Sequence, residues 1–133
     1  MMFPHTVTLY NKYLEGNTER WKRTVLQGVF WDSSRGRTVR KNGVSADNGL
    51  VLIIPFSVSA DNDYCKPKEF TSLTNKVGKW TLASGDTIVL GDIGYEIERS
   101  SKELHRFNDV LTISHVDTRD YGGSMAHWEV TGA

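Results

Sequence analysis

The chain has 133 residues, with 16 Lys and Arg balanced by 16 Asp and Glu, 38% hydrophobic residues and 24% charged ones. That length makes one ordinary domain, able to bury roughly two-thirds of the surface its unfolded chain exposes, and the composition is far from that of a disordered chain. Zero net charge excludes nucleic-acid binding through the whole surface, leaving only a local basic patch for that role, and it permits self-association without predicting it.

In chain order the sequence reads as strands and turns. His5 to Tyr13 alternates, with Val7 and Leu9 on one face and Thr6, Thr8 and Tyr10 on the other. Gly16-Asn17 marks a turn. Trp21 to Trp31 is the second strand, rich in β-branched and aromatic residues, and Gly28 inside it predicts a bulge or sharp bend. Residues 33–49 form the most polar stretch and read as a long hairpin or loop bracketed by Asn-Gly turn signals. Leu50 to Val58 is a strand interrupted by Pro55, which must sit at an edge or bend because it lacks a ladder donor.

Ala60 to Tyr64 turns the chain. Lys66 to Leu73 predicts a short helix with Pro67 in its first turn and Phe70 and Leu73 facing inward. Lys79 to Leu82 is a short strand. Gly85-Asp86 and Gly91-Asp92 bracket a further strand, which is expected to form a tight hairpin with Tyr95 to Arg99. Ser100 to Phe107 is either one helical turn opened by Ser100 or Ser101 with Glu103, or a loop. Val110 to Val116 is a strand with Leu111 and Ile113 on one face and Val110, Thr112 and Val116 on the other. Tyr121-Gly122-Gly123 turns the chain into a last strand, Ala126 to Thr131, carrying Trp128 and Val130. The fold class is therefore all-β: a small barrel or sandwich of about eight short strands over residues 1–133, with one long polar loop and at most one short helix.

The candidate chemistry is sparse. Cys65 is the single cysteine, so neither an intramolecular disulfide nor a cysteine zinc cluster is expected. His5, His105, His115 and His127 show no metal-ligand spacing, and the Gly85 to Gly91 stretch lacks the Gly-Lys-Ser/Thr ending of a phosphate loop. Asp61 with Asp63, Glu96 with Glu98 and Asp117 with Asp120 are acidic pairs. Glu96 and Glu98 share one face of the expected strand, as solvent-facing or interface-facing residues do. With no convergent acid, base and nucleophile set, the chain reads as a non-enzyme without cofactor or metal. Arg35, Arg37, Arg40 and Lys41 are the strongest local charge feature, either a solvated hairpin tip or a phosphate-contacting loop. Trp21, Phe30, Trp31, Trp80 and Trp128 divide between core and interface; Trp31, Trp128, Glu96 and Glu98 are the candidate interface residues. The first residues, Met1 to His5, lack a basic stretch followed by an apolar run, and the longest apolar run, Leu50 to Phe56, is too short to span a bilayer. No signal peptide and no membrane partner are expected.

Several strings carry a family resemblance. Pro4-His5-Thr6-Val7-Thr8-Leu9-Tyr10-Asn11-Lys12-Tyr13 and the run from Trp21 to Trp31 resemble small proteins of the head–tail gene cluster of Gram-positive phages and prophages. So do Leu52-Ile53-Ile54-Pro55-Phe56, Lys66-Pro67-Lys68-Glu69-Phe70, Gly78-Lys79-Trp80-Thr81-Leu82, Gly85 to Gly91 and Ala126-His127-Trp128-Glu129-Val130, so that nearly the whole chain is covered. The layout is similar to head-closure, or stopper, connectors of long-tailed phages. The resemblance implies a small β-barrel that forms a ring in the particle, though it is often a monomer in isolation. It further implies contacts with portal or adaptor and tail proteins, and a loop that touches packaged DNA. By position and charge that loop would be the one with Arg35, Arg37, Arg40 and Lys41. The implied location is the virion, and the host bacterial cytoplasm before assembly. Head–tail adaptor, tail-completion and minor tail protein are neighbouring readings. A single-stranded nucleic-acid-binding barrel is the reading from another class. It calls for a basic, aromatic sheet face, where this chain places Glu96 and Glu98.

Overall fold

In the computed structural model, which describes residues 3–32, 50–74, 76, 78–120 and 126–132, the first two strands form one long antiparallel ribbon. β1 (His5–Glu15) and β2 (Thr18–Asp32) meet at the two-residue Gly16-Asn17 turn. Val7 and Leu9 of β1 are fully buried, as their alternation requires. Thr8 and Tyr10, on the other face, are buried as well, because residues 91–107 run over that face. The Gly28 bulge is present. Gly28 sits at φ 92, and His5 faces Val29 while Thr6 faces Gln27, so one extra residue is accommodated in β2.

After residues 33–49 the chain continues with β3 (Leu50–Pro55), β4 (Ser59–Ala60), β5 (Asp63–Tyr64), the helix α1 (Pro67–Ser72) and β6 (Lys79–Trp80). Then come β7 (Thr87–Leu90), a 3-10 helix (Ser101–Arg106), β8 (Val110–Arg119) and β9 (His127–Gly132). Successive pairings β1–β7–β8–β9–β3–β2–β1 return to their starting strand, so six strands close a small barrel, with β4 added on the edge of β2. β5 and β6 form a separate parallel pair. Pro55 ends β3 opposite His127 and accepts at its carbonyl from Val58 N, which places it at a bend. Pro67 begins α1 and Phe70 is buried beneath it, as the sequence predicts.

Two expectations are corrected. Tyr95 to Arg99 is not a strand and makes no hairpin with β7. Both edges of β7 are taken, by Val7–Tyr10 of β1 and by Val110–Thr112 of β8, so no ladder position is left. Val116, expected on the face opposite Leu111 and Ile113, packs against the same core. The register of β8 shifts between Ile113 and His115, and the extra residue, Ser114, inverts the alternation beyond it.

The barrel interior centres on Trp80, whose ring meets Tyr64 at 5.1 Å and Trp128 at 5.8 Å, both edge-on. Trp31 and Trp128 are each only 7% exposed and belong to this core. Both are also candidate interface residues, and within this chain most of their area is used in the core. No helix among the described residues is long and apolar enough to cross a membrane.

Candidate functional site

Alternation along the β1–β2 ribbon places Arg23, Val25 and Gln27 on its outer face, laddered to Tyr10, Thr8 and Thr6. Residues 91–107 cross part of this face and are tied to it at several points. Thr8 Oγ1 donates to Gly91 O at 2.7 Å and accepts from Ile93 N at 2.8 Å. Tyr10 OH donates to Tyr95 O at 2.6 Å, and burial pushes the Tyr10 phenol up to about 12. Arg23 Nε donates to Glu96 Oε2 at 2.7 Å and Nη1 to Ile93 O at 3.2 Å. The hydrogen bond it donates to Glu96 favours the charged guanidinium and raises the Arg23 pKa.

The conformation of this crossing segment is set by one carboxylate. Ser100 and Glu103 form a reciprocal capping box at the start of the 3-10 helix. Glu103 also accepts from Tyr95 OH at 2.8 Å, Glu98 N at 3.1 Å and Arg99 N at 2.8 Å, besides Ser100 N at 3.0 Å. Donation from the Glu98 backbone, joined by Tyr95, Arg99 and Ser100, lowers the Glu103 carboxyl to about 2. A depressed pKa stabilises the fold above the ordinary value near 4.5, and that contribution is lost as pH falls through about 2. Glu103→Gln leaves a single oxygen for four donors. Amide exchange at Glu98, Arg99 and Ser100 is expected to speed up by on the order of tenfold, with a small change in global stability. Unchanged protection by exchange NMR would remove Glu103 as the organiser.

Beside this segment lies an open groove of about 410 Å³, lined by Arg23, Val25 and Gln27 of β2, by Ser59, Ala60 and Asp61, and by Asp92. β4 occupies the edge of β2 for only two rungs, Leu26–Ala60 and Gln27–Ser59. The next rung is made by a side chain: Asp61 Oδ1 accepts from Val25 N at 3.2 Å. Asn62 Nδ2 fixes the turn by donating to Thr24 Oγ1 at 2.8 Å. A smaller hollow of about 240 Å³ lies at the far end of the ribbon, lined by Lys12, Tyr13, Leu14, Thr71 and Lys76. Lys76 Nζ sits 5.1 Å from the Tyr13 ring centroid and 5.5 Å from that of Phe70. Leu14, near the hairpin tip, is 66% exposed.

A buried polar knot holds β1 to the chain around residue 86. Asn11 Nδ2 donates to Thr81 O at 2.8 Å and to Asp86 Oδ2 at 2.7 Å, and Asn11 Oδ1 accepts from Thr81 N at 3.2 Å. Lys12 N donates to Asp86 Oδ1 at 3.1 Å. Burial outweighs these bonds and raises the Asp86 carboxyl to about 6. This knot is structural, because the Asn11 amide, the Thr81 backbone, Lys12 N and the Asp86 carboxyl are committed to one another.

The other acids and histidines do not converge. His115 faces Thr131 and His127 faces Arg119 across β8 and β9, so the two rings are not brought together. His115 Nε2 lies 2.8 Å from Asp117, and His127 Nε2 lies 3.1 Å from Glu129. Arg119 bridges both carboxylates at 3.7 Å. The described residues contain no group of three or more His, Cys, Asp or Glu placed to hold a metal ion. Cys65 is buried, and burial pushes its thiol up.

Of the candidate interface residues, Glu96 and Glu98 are exposed on the crossing segment, Glu96 paired to Arg23, while Trp31 and Trp128 are internal. Arg35, Arg37, Arg40 and Lys41, with the rest of 33–49, lie outside the described residues, as does Tyr121-Gly122-Gly123. Sequence reasoning missed the groove, the exposed Leu14 and the role of Asp86. The Gly85-Asp86 turn signal was visible, but its partner Asn11 is 75 positions away.

The chain belongs to the family of unknown function DUF6751, whose model matches residues 2–133. No curated protein and no solved structure matches it.

Proposed function

We propose that this family member is a structural protein of a tailed-phage or prophage particle, a head-closure or stopper connector that forms a ring between the portal or adaptor and the tail. The observation that carries the reading is the geometry of the barrel end. β2 and β3 are paired up to Asp32 and Val51, so the strands on either side of 33–49, the stretch that contains Arg35, Arg37, Arg40 and Lys41, end side by side. A closed barrel with a basic insertion at one end is suited to holding that insertion toward a central channel. There its guanidinium groups would meet phosphates. The resemblance of nearly the whole chain to phage head–tail proteins supports the same reading. In it the protein acts by assembly and not by catalysis, resides in the virion after assembly in the host cytoplasm, and touches DNA only through the loop.

An adaptor, tail-completion or minor tail protein would share the barrel and differ in its neighbours. The genes on either side separate these readings: portal and capsid genes upstream with a tail-tube gene downstream are expected. A free single-stranded nucleic-acid-binding barrel would need an exposed aromatic platform. Three of the four tryptophans, Trp31, Trp80 and Trp128, are buried, and Trp21 is half-buried against the Tyr10, Val89 and Leu104 cluster.

The test is charge reversal at Arg35, Arg37, Arg40 and Lys41 in the phage. Particles are expected to assemble, since the barrel is untouched, and to retain packaged DNA in a severalfold smaller fraction of heads, counted by electron microscopy. Normal DNA retention would remove the loop from the channel. A purified chain that stays monomeric, is absent from particles and binds single-stranded DNA with a steep salt dependence would sink the connector itself.

A further inference from the structure

We propose that the groove over β2 receives the β1–β2 hairpin tip of a second copy, so that copies associate head-to-tail. The inference rests on the connector reading and specifies its self-contact. It starts from two unmatched surfaces on one ribbon. The tip presents Leu14, which is 66% exposed and is one of two large hydrophobic side chains that stand exposed among the described residues. The groove presents Val25 and Ala60 among polar neighbours, and its volume of about 410 Å³ suits a small protruding side chain with its turn.

The charges are complementary. The tip carries Lys12, Arg20 and Lys22 against Glu15 and Glu19, and Lys22 has no ion-pair partner among the described residues. The groove carries Asp61 and Asp92, neither in an ion pair among the described residues, while its one cation, Arg23, is already held by Glu96. A tip with surplus positive charge and a groove with surplus negative charge attract, which selects this pairing over tip to tip or groove to groove.

The contact cannot be made within one chain. Val25 is laddered to Thr8, seven residues before the end of β1 at Glu15. At about 3.4 Å per residue the tip stands roughly 24 Å from its own groove along a continuously paired ribbon. The surfaces are different patches, so each copy can offer a tip to one neighbour and a groove to the other. That is the heterologous contact from which rings are built.

Single-site chains Leu14→Cys and Val25→Cys test this, each keeping the buried Cys65. Leu14 is exposed and Val25 lines an open groove, so both chains are expected to fold, checked by circular dichroism. Mixed at high concentration under mild oxidation, they are expected to yield the 14–25 disulfide between copies severalfold over 14–14 and 25–25. Adding Asp61→Lys and Asp92→Lys to the Val25→Cys chain should abolish it. Adding Arg20→Glu and Lys22→Glu to the Leu14→Cys chain should then restore it. Absence of the 14–25 product, or dominance of the symmetric products, overturns the inference. The cross-link is read on purified protein without DNA or particles. A 14–25 product from a chain that never enters particles would fail the connector reading alone, and rings without that product would fail the head-to-tail contact alone.

Discussion

Asp86→Ala is expected to destabilise the protein by about 4 kcal/mol at pH 4, roughly 15 °C in melting temperature, and by much less above pH 7. The loss comes from two donors. Asn11 Nδ2 and Lys12 N both point at the Asp86 carboxyl, and alanine offers neither an acceptor. Asn11 is fully buried and Asp86 nearly so, so water cannot replace the carboxyl without opening the barrel end. The pH dependence has a definite sign. Burial holds the folded Asp86 pKa at about 6, against 3.8 for the free group. Below 3.8 both states are protonated and the group contributes no slope. Between 3.8 and about 6 the unfolded chain gives up its proton while the folded chain keeps it, so wild-type stability falls as pH rises through this window. About two pKa units at 1.36 kcal/mol each make that fall about 3 kcal/mol. Alanine has no such titration. Every other ionisable group, Glu103 included, is common to both chains and cancels in the difference. The unfolded group is already about half ionised at pH 4, so the deficit of the variant should shrink by about 2 kcal/mol from pH 4 to pH 7, as measured by urea unfolding at each pH. A deficit that stays flat over that range would mean that Asp86 is not held by burial.

The same residue marks where the sequence stops being informative. Its turn role was legible because Gly-Asp pairs punctuate strands locally. Its partnership with Asn11 was not, since nothing local couples positions 11 and 86. Local signals served well elsewhere: the Gly16-Asn17 turn, the Gly28 bulge, Pro67 at the start of α1, the Ser100–Glu103 box as one of the two readings weighed, and all-β architecture from alternation alone. They failed where two long-range facts decide. Tyr95 to Arg99 alternates like a strand, and its exposure alternates in the fold too, with Tyr95 and Ile97 half-buried and Glu96 and Glu98 exposed. It is no strand because β1 and β8 already fill both edges of β7. Trp31 and Trp128 looked equally suited to core and interface, and closure of the ring, which no single segment encodes, turned both inward. The candidate surface was the least legible part, because the groove is built from β2, the residues around β4, and Asp92, distant in the chain and unremarkable in each place.

Gly132→Ala is expected to be the most disruptive single-methyl substitution, at about 3 kcal/mol or more. Gly132 is laddered at once to Leu50 of β3 and Ile113 of β8, so both edges of β9 meet there. A Cβ there would lie against the Thr112 carbonyl oxygen and carbon and only 3.0 Å from Leu111 Cγ. The first two are backbone atoms in a paired strand, so no rotamer change relieves the clash. Two outcomes remain: β9 separates from β8 near the Ser114 bulge, or Leu111 moves out of the core. Both weaken the seam that joins β8 to β3 through β9. Exchange protection should fall first at amides of β9 and the adjoining parts of β3 and β8. The β1–β2 ribbon, paired along its own length, should hold its protection to higher denaturant. A variant as stable as wild type, or one that loses protection uniformly, would show that the β8–β9–β3 seam does not govern the stability of this barrel.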